Sequence, residues 1–217
     1  MSDKRSLPET ASVAHHAAGA RLHAPSAERN AADIARVLTQ YAPAKGRALE
    51  IASGTGQHMV QFAQALPNLQ WHPSDLDPAR LASIDDWTVG IKAVAKAAAL
   101  DASKPGWAKQ SQPWDLIIVI NLLHLIRTDE AQVILSEVAT ALAPKGKFIL
   151  YGPFMRAGEL TSEGDARFDA SLREADPLIG YKDDFDVIDW LHSAGLALVQ
   201  VIEMPANNLC MIAEKSA

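Results

Sequence analysis

The sequence holds one cysteine in 217 residues, Cys210, so no disulfide can form within a single chain. That cysteine lies in an apolar, strand-like run and reads as core packing, with a reactive thiol as the alternative. No apolar stretch reaches the roughly 18 residues that a membrane-spanning helix needs, and the amino-terminal segment lacks the apolar centre of a secretion signal. Both absences point to a cytoplasmic protein with no membrane partner. Lysine and arginine never gather into a run and the formal net charge is -6, which disfavours nucleic acid as a partner. There is no G-x-S-x-G elbow and no G-x-x-x-x-G-K-[ST] loop, so hydrolase and P-loop readings lose their main support. His15, His16 and His23 have no acid or cysteine cluster beside them, and no metal site is expected.

What the chain does have is concentrated between Ala48 and His58. A short apolar run carries one acid, Glu50, then bends through Gly54 and Gly56 into a helical sequence. Glycine has no Cβ, so both positions can take positive φ and let a ligand approach the backbone. Met59, Val60, Phe62, Ala63 and Leu66 then recur at helical spacing, which predicts an amphipathic helix over 57–66 ended by Pro67 and Asn68. The start of such a helix aims free N–H groups at the loop and favours a carboxylate or phosphate there. A dinucleotide fingerprint needs a third glycine where Met59 stands, and a lone G-x-G also fits a tight turn with no ligand.

Further acids weigh against the empty turn. The run Leu69 to Asp77 reads as a strand ending in two carboxylates. Asp75 is preferred as the one that takes both hydroxyl hydrogens of a ribose, because Asp77-Pro78 reads as the cap and first residue of the next helix. If no ligand is present, both are surface cap residues. The alanine-rich run 93–100 also ends in an acid, Asp101, suited to accept from an adenine amino group. Three apolar segments each carrying an acid at this end are an odd coincidence in a chain without a ligand.

Elements alternate along the chain. A helix capped by Ser26 carries Ile34, Val37, Leu38 and Tyr41; strands follow near 47–52, 69–74, 91–99, 116–120 and 147–151, with helices over 57–66, 78–87 and 129–142, the last capped by Thr128. Residues 144–146 read as a turn. This alternation predicts a parallel sheet with right-handed crossovers and helices on both faces. Residues 1–24 are expected to be mobile until a ligand binds, and 25–217 to form one domain. The stretch 152–182 is too long for a plain connection and reads as a lid or substrate insertion with a helix over 166–175. A helix over 184–193, closed by Gly195, precedes two apolar runs, 196–202 and 209–213, that should pair as an antiparallel hairpin.

With these features in place, the sequence resembles the class I S-adenosylmethionine-dependent methyltransferases. The likeness rests on Glu50-x-x-x-Gly54-x-Gly56, the strand ends at Asp75 and Asp101, and the run Trp114 to Asn121. More narrowly, Glu28-Arg-Asn30, Ile51 to His58, Pro73-Ser-Asp75 and Tyr151-Gly-Pro-Phe154 are similar to the methyltransferase-like 26 group over almost the whole chain. The resemblance implies an α/β fold with a Rossmann-like seven-stranded sheet, mostly parallel, with an antiparallel strand in the C-terminal hairpin. It also implies S-adenosylmethionine as cofactor. Its methionine part would lie by Glu50, Ser53, Gly54 and Gly56, its ribose by Asp75, its adenine between Leu76 and the Asp101-Ala102 pair, and Asn121 would face the methionine part or the methyl.

The implied activity is methyl transfer to a small-molecule acceptor. The alternatives are a cofactor-binding sensor or scaffold without transfer activity, and an NAD-linked oxidoreductase. Methyl transfer needs a protein base only if the acceptor arrives protonated, and His124, three residues past Asn121, is the candidate. The alternative is a polar residue that opens a loop or packs beside the cofactor. His58 is expected to position the cofactor, and Arg29 to pair with its carboxylate or with an anionic acceptor, unless Arg29 serves a surface ion pair instead. Tyr151, Phe154, Arg173 and Tyr181 are the candidates to line the acceptor pocket, a solvated loop being the alternative.

Overall fold

A computed structural model describes residues 7–8, 11–110 and 112–216. Of the amino-terminal segment expected to be mobile, residues 1–6, 9 and 10 lie outside the described ones. Further on, β1 (His15–His16) and β2 (Leu22–His23) pair as a short antiparallel hairpin. Helix α1 (Pro25–Tyr41) begins one residue before the expected cap, Ser26, which therefore falls inside it. Proline explains the shift: its fixed φ suits the first helical position and its missing N–H is not needed there. Ala24 takes the cap position and donates its N–H to Gln57 Oε1 at 2.6 Å.

Strand and helix then alternate through β3 (Gly46–Ile51), α2 (Gln57–Ala65), β4 (Leu69–Asp75), α3 (Pro78–Trp87), β5 (Ala98–Ala99), β6 (Trp114–Ile120), α4 (Thr128–Ala141) and β7 (Leu142–Pro153). After α5 (Glu163–Ala175) and α6 (Asp184–Ser193), the chain ends its regular structure with β8 (Leu196–Met204) and β9 (Asn208–Lys215). One sheet takes seven of these strands in the order β5-β4-β3-β6-β7-β9-β8. The first five are parallel, and β9 runs antiparallel to both of its neighbours. The α/β fold and the hairpin agree with the expectation from the sequence.

Alternation of side chains along each strand divides the core. Leu116, Ile118 and Ile120 of β6 pack with Ile34 and Leu38 of α1 and Met59 and Phe62 of α2. Ile117 and Val119 face the other way, onto Ile134, Leu135 and Val138 of α4 and Val187 and Leu191 of α6. A strand buried on both faces must be apolar at every position, which is why 116–120 shows no polar alternation.

Three elements differ from the sequence reading. The strand expected over 91–99 shrinks to β5, with one isolated bridge between Trp71 and Val94. Alanine methyls give little apolar area to bury, and Ala98 and Ala99 are exposed at the sheet edge. Helix α4 starts at Thr128, so the cap is Arg127, whose N–H donates to the Glu130 carboxylate at 2.8 Å. Strand β7 begins at Leu142 and runs through the stretch read as a turn, with a register shift opposite Trp114 and Leu116 and with Lys145 at φ 61.

Candidate active-site crevice

Strand order reverses between β3 and β6: β4 and β5 lie to one side, β7 to the other. In a sheet of this kind, the loops that leave the two strands diverge and open a crevice at their carboxyl ends. The backbone there is strained. Ala52 sits at φ 55 and Asn121 at φ 52, a left-handed region costly to residues with a side chain, although asparagine bears it better than alanine.

Glu50, at the end of β3, is buried, and its Oε2 is the one buried side-chain oxygen or nitrogen among the described residues with no hydrogen-bond partner. Burial pushes its pKa up to about 8, against the Ser53 hydroxyl, which lowers it; the Asp75 charge adds a smaller upward push. The carboxyl is thus neutral below that pH, and a buried acid without a partner is a place for a cation. Ser53 is held beneath it, with Ser53 Oγ donating to the Glu50 carbonyl at 3.3 Å and the Ser53 N–H to the Ser74 carbonyl at 2.8 Å.

The two glycines have different work. A Cβ on Gly54, at φ 60, would meet nothing closer than Arg80 Nη1 at 4.0 Å, so its face is open to a ligand. A Cβ on Gly56, at φ 89, would lie 2.7 Å from the Ile84 Cα. Gly56 therefore serves the close approach of α2 to α3. Asp75, at the end of β4, accepts the Gly54 N–H at 2.9 Å and the Asp77 N–H at 3.0 Å. Burial raises its pKa, against those two bonds and the nearby Arg80 charge. Asp77 caps α3, accepting from the Ala79 N–H at 2.8 Å, as expected.

Leu76 is 58% exposed directly after Asp75. Asp101 accepts from both the backbone and the hydroxyl of Ser103, and Ala102 is buried in the core on the α4 side. Asn121 donates its backbone N–H to the Tyr151 carbonyl at 2.8 Å. Arg29 lies exposed on α1. His58 is buried in the first turn of α2, stacked on Phe62 at 5.5 Å and with Nε2 2.8 Å from Asn30 Oδ1; burial lowers its pKa to about 4.

His124 occupies a 3-10 turn just beyond Asn121, buried and edge-on to Phe168 and Tyr181. Burial, helped by the Lys182 charge and opposed by that of Asp169, lowers its pKa to about 3. At neutral pH it is an uncharged ring and a weak base.

The four acceptor-pocket candidates do not gather at one place. Tyr151 is buried on the α1 face, where burial raises its pKa against a bond from Asn30. Phe154 packs in the core on the α4 face. Arg173 donates from Nε to Asp169 at 2.7 Å, in the segment that follows β7. Tyr181 donates to Asp165 Oδ1 at 3.1 Å; burial and that carboxylate raise its pKa. That segment has its own apolar cluster, in which Leu172, Ile179 and Tyr181 hold Leu125, Met155, Leu160 and Phe168, together with Leu7 and Ala11 from the amino-terminal segment. A cleft of about 630 Å³ lies beside it, lined by Met155, Tyr181, Lys182, Phe185 and Trp190 among others.

The sequence reading assigned nothing to Asn30, Arg80 or Asp165. Arg80 Nη2 donates to Ser12 Oγ at 3.0 Å, tying α3 to the amino-terminal segment beside the glycine loop. Asp165 also accepts from Thr161, Ser162 and Asn207, so the tip of the β8–β9 turn is fastened to α5. Ser162 and Asp165, three apart at the head of a stretch with Phe168 and Leu172 at helical spacing, were the available signal for the start of that helix. Among the described residues no group of three or more His, Cys, Asp or Glu is placed to hold a metal ion, and no helix is long and apolar enough to cross a membrane.

A family model described as "Protein of unknown function (DUF938)" matches residues 21–215. Among solved structures, the chain is similar to a putative O-methyltransferase from Nostoc punctiforme, with a TM-score of 0.76 at 20% identity, covering 88% of this chain and 57% of that one. An O-methyltransferase family protein from Burkholderia thailandensis gives a TM-score of 0.74 at 16% identity, over 88% and 58% of the two chains. Human N-acetylserotonin methyltransferase in complex with SAM gives 0.73 at 13% identity, over 88% and 53%. The chain thus spans a little over half the length of these proteins, and at such identities the likeness establishes the fold.

Proposed function

The chain belongs to the DUF938 family, and from that premise and the geometry of the crevice we propose that it is an S-adenosylmethionine-dependent methyltransferase acting on a small molecule. The observation that carries the proposal is the unpartnered, buried Glu50 Oε2 at the reversal of strand order, beside an open Gly54. A ligand bearing an ammonium and a sulfonium would favour the ionised form of this acid and give it the partner it lacks. The fold shared with a methyltransferase solved in complex with SAM supports the same reading.

Glu50, Ser53 and Gly54 would hold the methionine part, with Gly56 setting the loop, His58 positioning the cofactor and Arg29 pairing with its carboxylate or with an anionic acceptor. Asp75 would hold the ribose hydroxyls, and exposed Leu76 with Asp101 and Ala102 would enclose the adenine. Asn121 would face the reacting end. The cofactor supplies a methyl group already activated by positively charged sulfur. The segment of about 152–182 would then position the acceptor and exclude water, with Arg173 and Tyr181 shaping that side and Tyr151 and Phe154 packed in the core beneath it. His124 is the candidate base, but a neutral ring with so low a pKa takes up a proton poorly. The reading therefore rests on positioning, and suits an acceptor atom that reaches the site already unprotonated.

The narrower likeness to the methyltransferase-like 26 group, the cytoplasmic location, the single domain over 25–217 and the avoidance of nucleic acid belong to the same proposal. The weakness of His124 as a base favours one second reading, a cofactor-binding sensor or scaffold without transfer. An NAD-linked oxidoreductase would need a third glycine where Met59 stands in this chain. Calorimetry with S-adenosylmethionine, S-adenosylhomocysteine and NAD tests the proposal. Binding of the two sulfur ligands is expected; tight NAD binding with no response to either would overturn it. A metabolite extract supplied with isotope-labelled methyl donor then separates enzyme from sensor.

A further inference from the structure

The two banks of the crevice are joined by consecutive residues of the amino-terminal segment. On the glycine-loop bank, Arg80 Nη1 lies 4.0 Å from the place a Gly54 Cβ would take, and its Nη2 donates to the Ser12 hydroxyl at 3.0 Å and to the Ser12 carbonyl at 3.4 Å. On the other bank, Ala11 rests with Leu7 against the cluster of Leu172, Ile179 and Tyr181. That cluster is fixed beside the loop leaving β6, since Tyr181 is edge-on to His124 and Gly180 donates its N–H to the His124 carbonyl at 3.0 Å. Neighbouring Cα atoms are about 3.8 Å apart. At Ala11 and Ser12 the chain therefore passes straight from one bank to the other, spanning the gap between the loops that follow β3 and β6.

The hold on this segment is uneven. The β1–β2 hairpin sits firmly on α3: the Leu22 N–H donates to Ser83 Oγ at 2.8 Å in buried surroundings, Trp87 Nε1 to the Leu22 carbonyl at 2.9 Å, and the Ala20 N–H to Asp86 Oδ2 at 2.9 Å. Among the described residues the crossing is held less tightly, because the Ser12 bonds are exposed to water and Leu7 and Ala11 are only partly buried. Exposed bonds and small apolar contacts open locally well before a core does. The hairpin is a fixed hinge, and the crossing is the part that lifts.

We propose that residues 11–14 form a strap across the crevice, hinged on the β1–β2 hairpin and latched at Ser12 and Ala11, whose release sets the rate at which the S-adenosyl ligand enters and leaves. The identity of the gated ligand rests on the methyltransferase reading; the strap itself does not. With the strap down, water is kept from the methyl donor and its acceptor.

The test uses the full chain with one latch broken on each bank. Arg80→Ala removes the bonds to Ser12, and Leu7→Asp sets a charge against the apolar cluster. A nitroxide attached at Val13→Cys, a position 40% exposed, reads the strap without any ligand, and the buried Cys210 escapes the label. The nitroxide should broaden the amide signals of both Gly54 and Leu125, one on each bank, and either latch variant should lose most of that broadening. Broadening confined to one bank in the chain with both latches, or undiminished in the two variants, overturns the strap. Chasing labelled S-adenosylhomocysteine with unlabelled ligand reads its release, which should be about tenfold faster in both variants. Faster release in Arg80→Ala alone would mean that Arg80 grips the ligand directly, and overturns the gate; so does native release in both variants. If Leu7→Asp does not fold, the milder Leu7→Ser is read in its place. If the native chain itself ignores S-adenosylhomocysteine, the methyltransferase reading falls and the broadening alone decides the strap.

Discussion

Glu50 and Asp75 are both acids at strand ends, but their surroundings give them different tasks. Asp75 has two backbone N–H partners, so replacing it disturbs the glycine loop as well as any ribose contact. Asp75→Ala should weaken S-adenosylmethionine binding by roughly 1 to 3 kcal/mol, and unchanged affinity in calorimetry would exclude a ribose contact. Glu50 affects stability itself. Its folded pKa, about 8, stands above its ordinary value of 4.5, so the folded chain keeps a proton that the unfolded chain gives up between those values. The stabilisation is complete below pH 4.5 and drains away as pH rises through about 8. Glu50→Gln cannot ionise, so its Tm should gain on the native chain as pH rises from 4.5 to about 8; parallel Tm curves over that range would contradict the raised pKa. The acids were legible in the sequence because each belongs to an apolar run with a recognisable end. The contact of Asn30 with His58 was not, because the two come from distant segments and no spacing rule links them.

At the scale of the element, the turn from β3 into α2 depends on two glycines that resist substitution for different reasons. Gly56→Ala forces a side chain into the left-handed region and a Cβ against the α3 backbone, and should cost about 2 to 4 kcal/mol in urea unfolding. Gly54→Ala meets no such neighbour and should cost about 1 to 2 kcal/mol in stability, with its main effect on cofactor affinity. Equal losses of stability would show that α3 does not press on Gly56. The sequence revealed that a G-x-G turn stands here but not which glycine faces a neighbour, since only the packing of α3 decides that. The strand read over 91–99 forms only at Ala98–Ala99 for a related reason: the apolar look of an alanine-rich run does not by itself supply the preference or the buried area that a strand needs. The C-terminal hairpin was easier to find, because two apolar runs flank Pro205 to Asn208, where Ala206 and Asn207 both take positive φ.

For the whole molecule, alternation of strand and helix was enough to foresee the parallel sheet, and the hairpin was enough to foresee its inverted strand. The sequence did not show how the segment after β7 is fixed in place, because Asp165 collects its bonds from Thr161, Ser162, Tyr181 and Asn207, residues that converge only after folding. It also did not show that Leu7 and Ala11 would pack with that segment. The sheet order has a consequence for assembly. Strand β9 follows every other described strand in the chain, yet it lies inside the sheet, between β7 and β8. A chain cut after Asn207 would leave both of those strands with a bare edge and remove Leu209, Met211 and Ile212 from the two halves of the core. Such a fragment should show no cooperative melting and should aggregate on expression. During synthesis, then, the sheet stays split, with two bare edges, until its innermost late strand emerges.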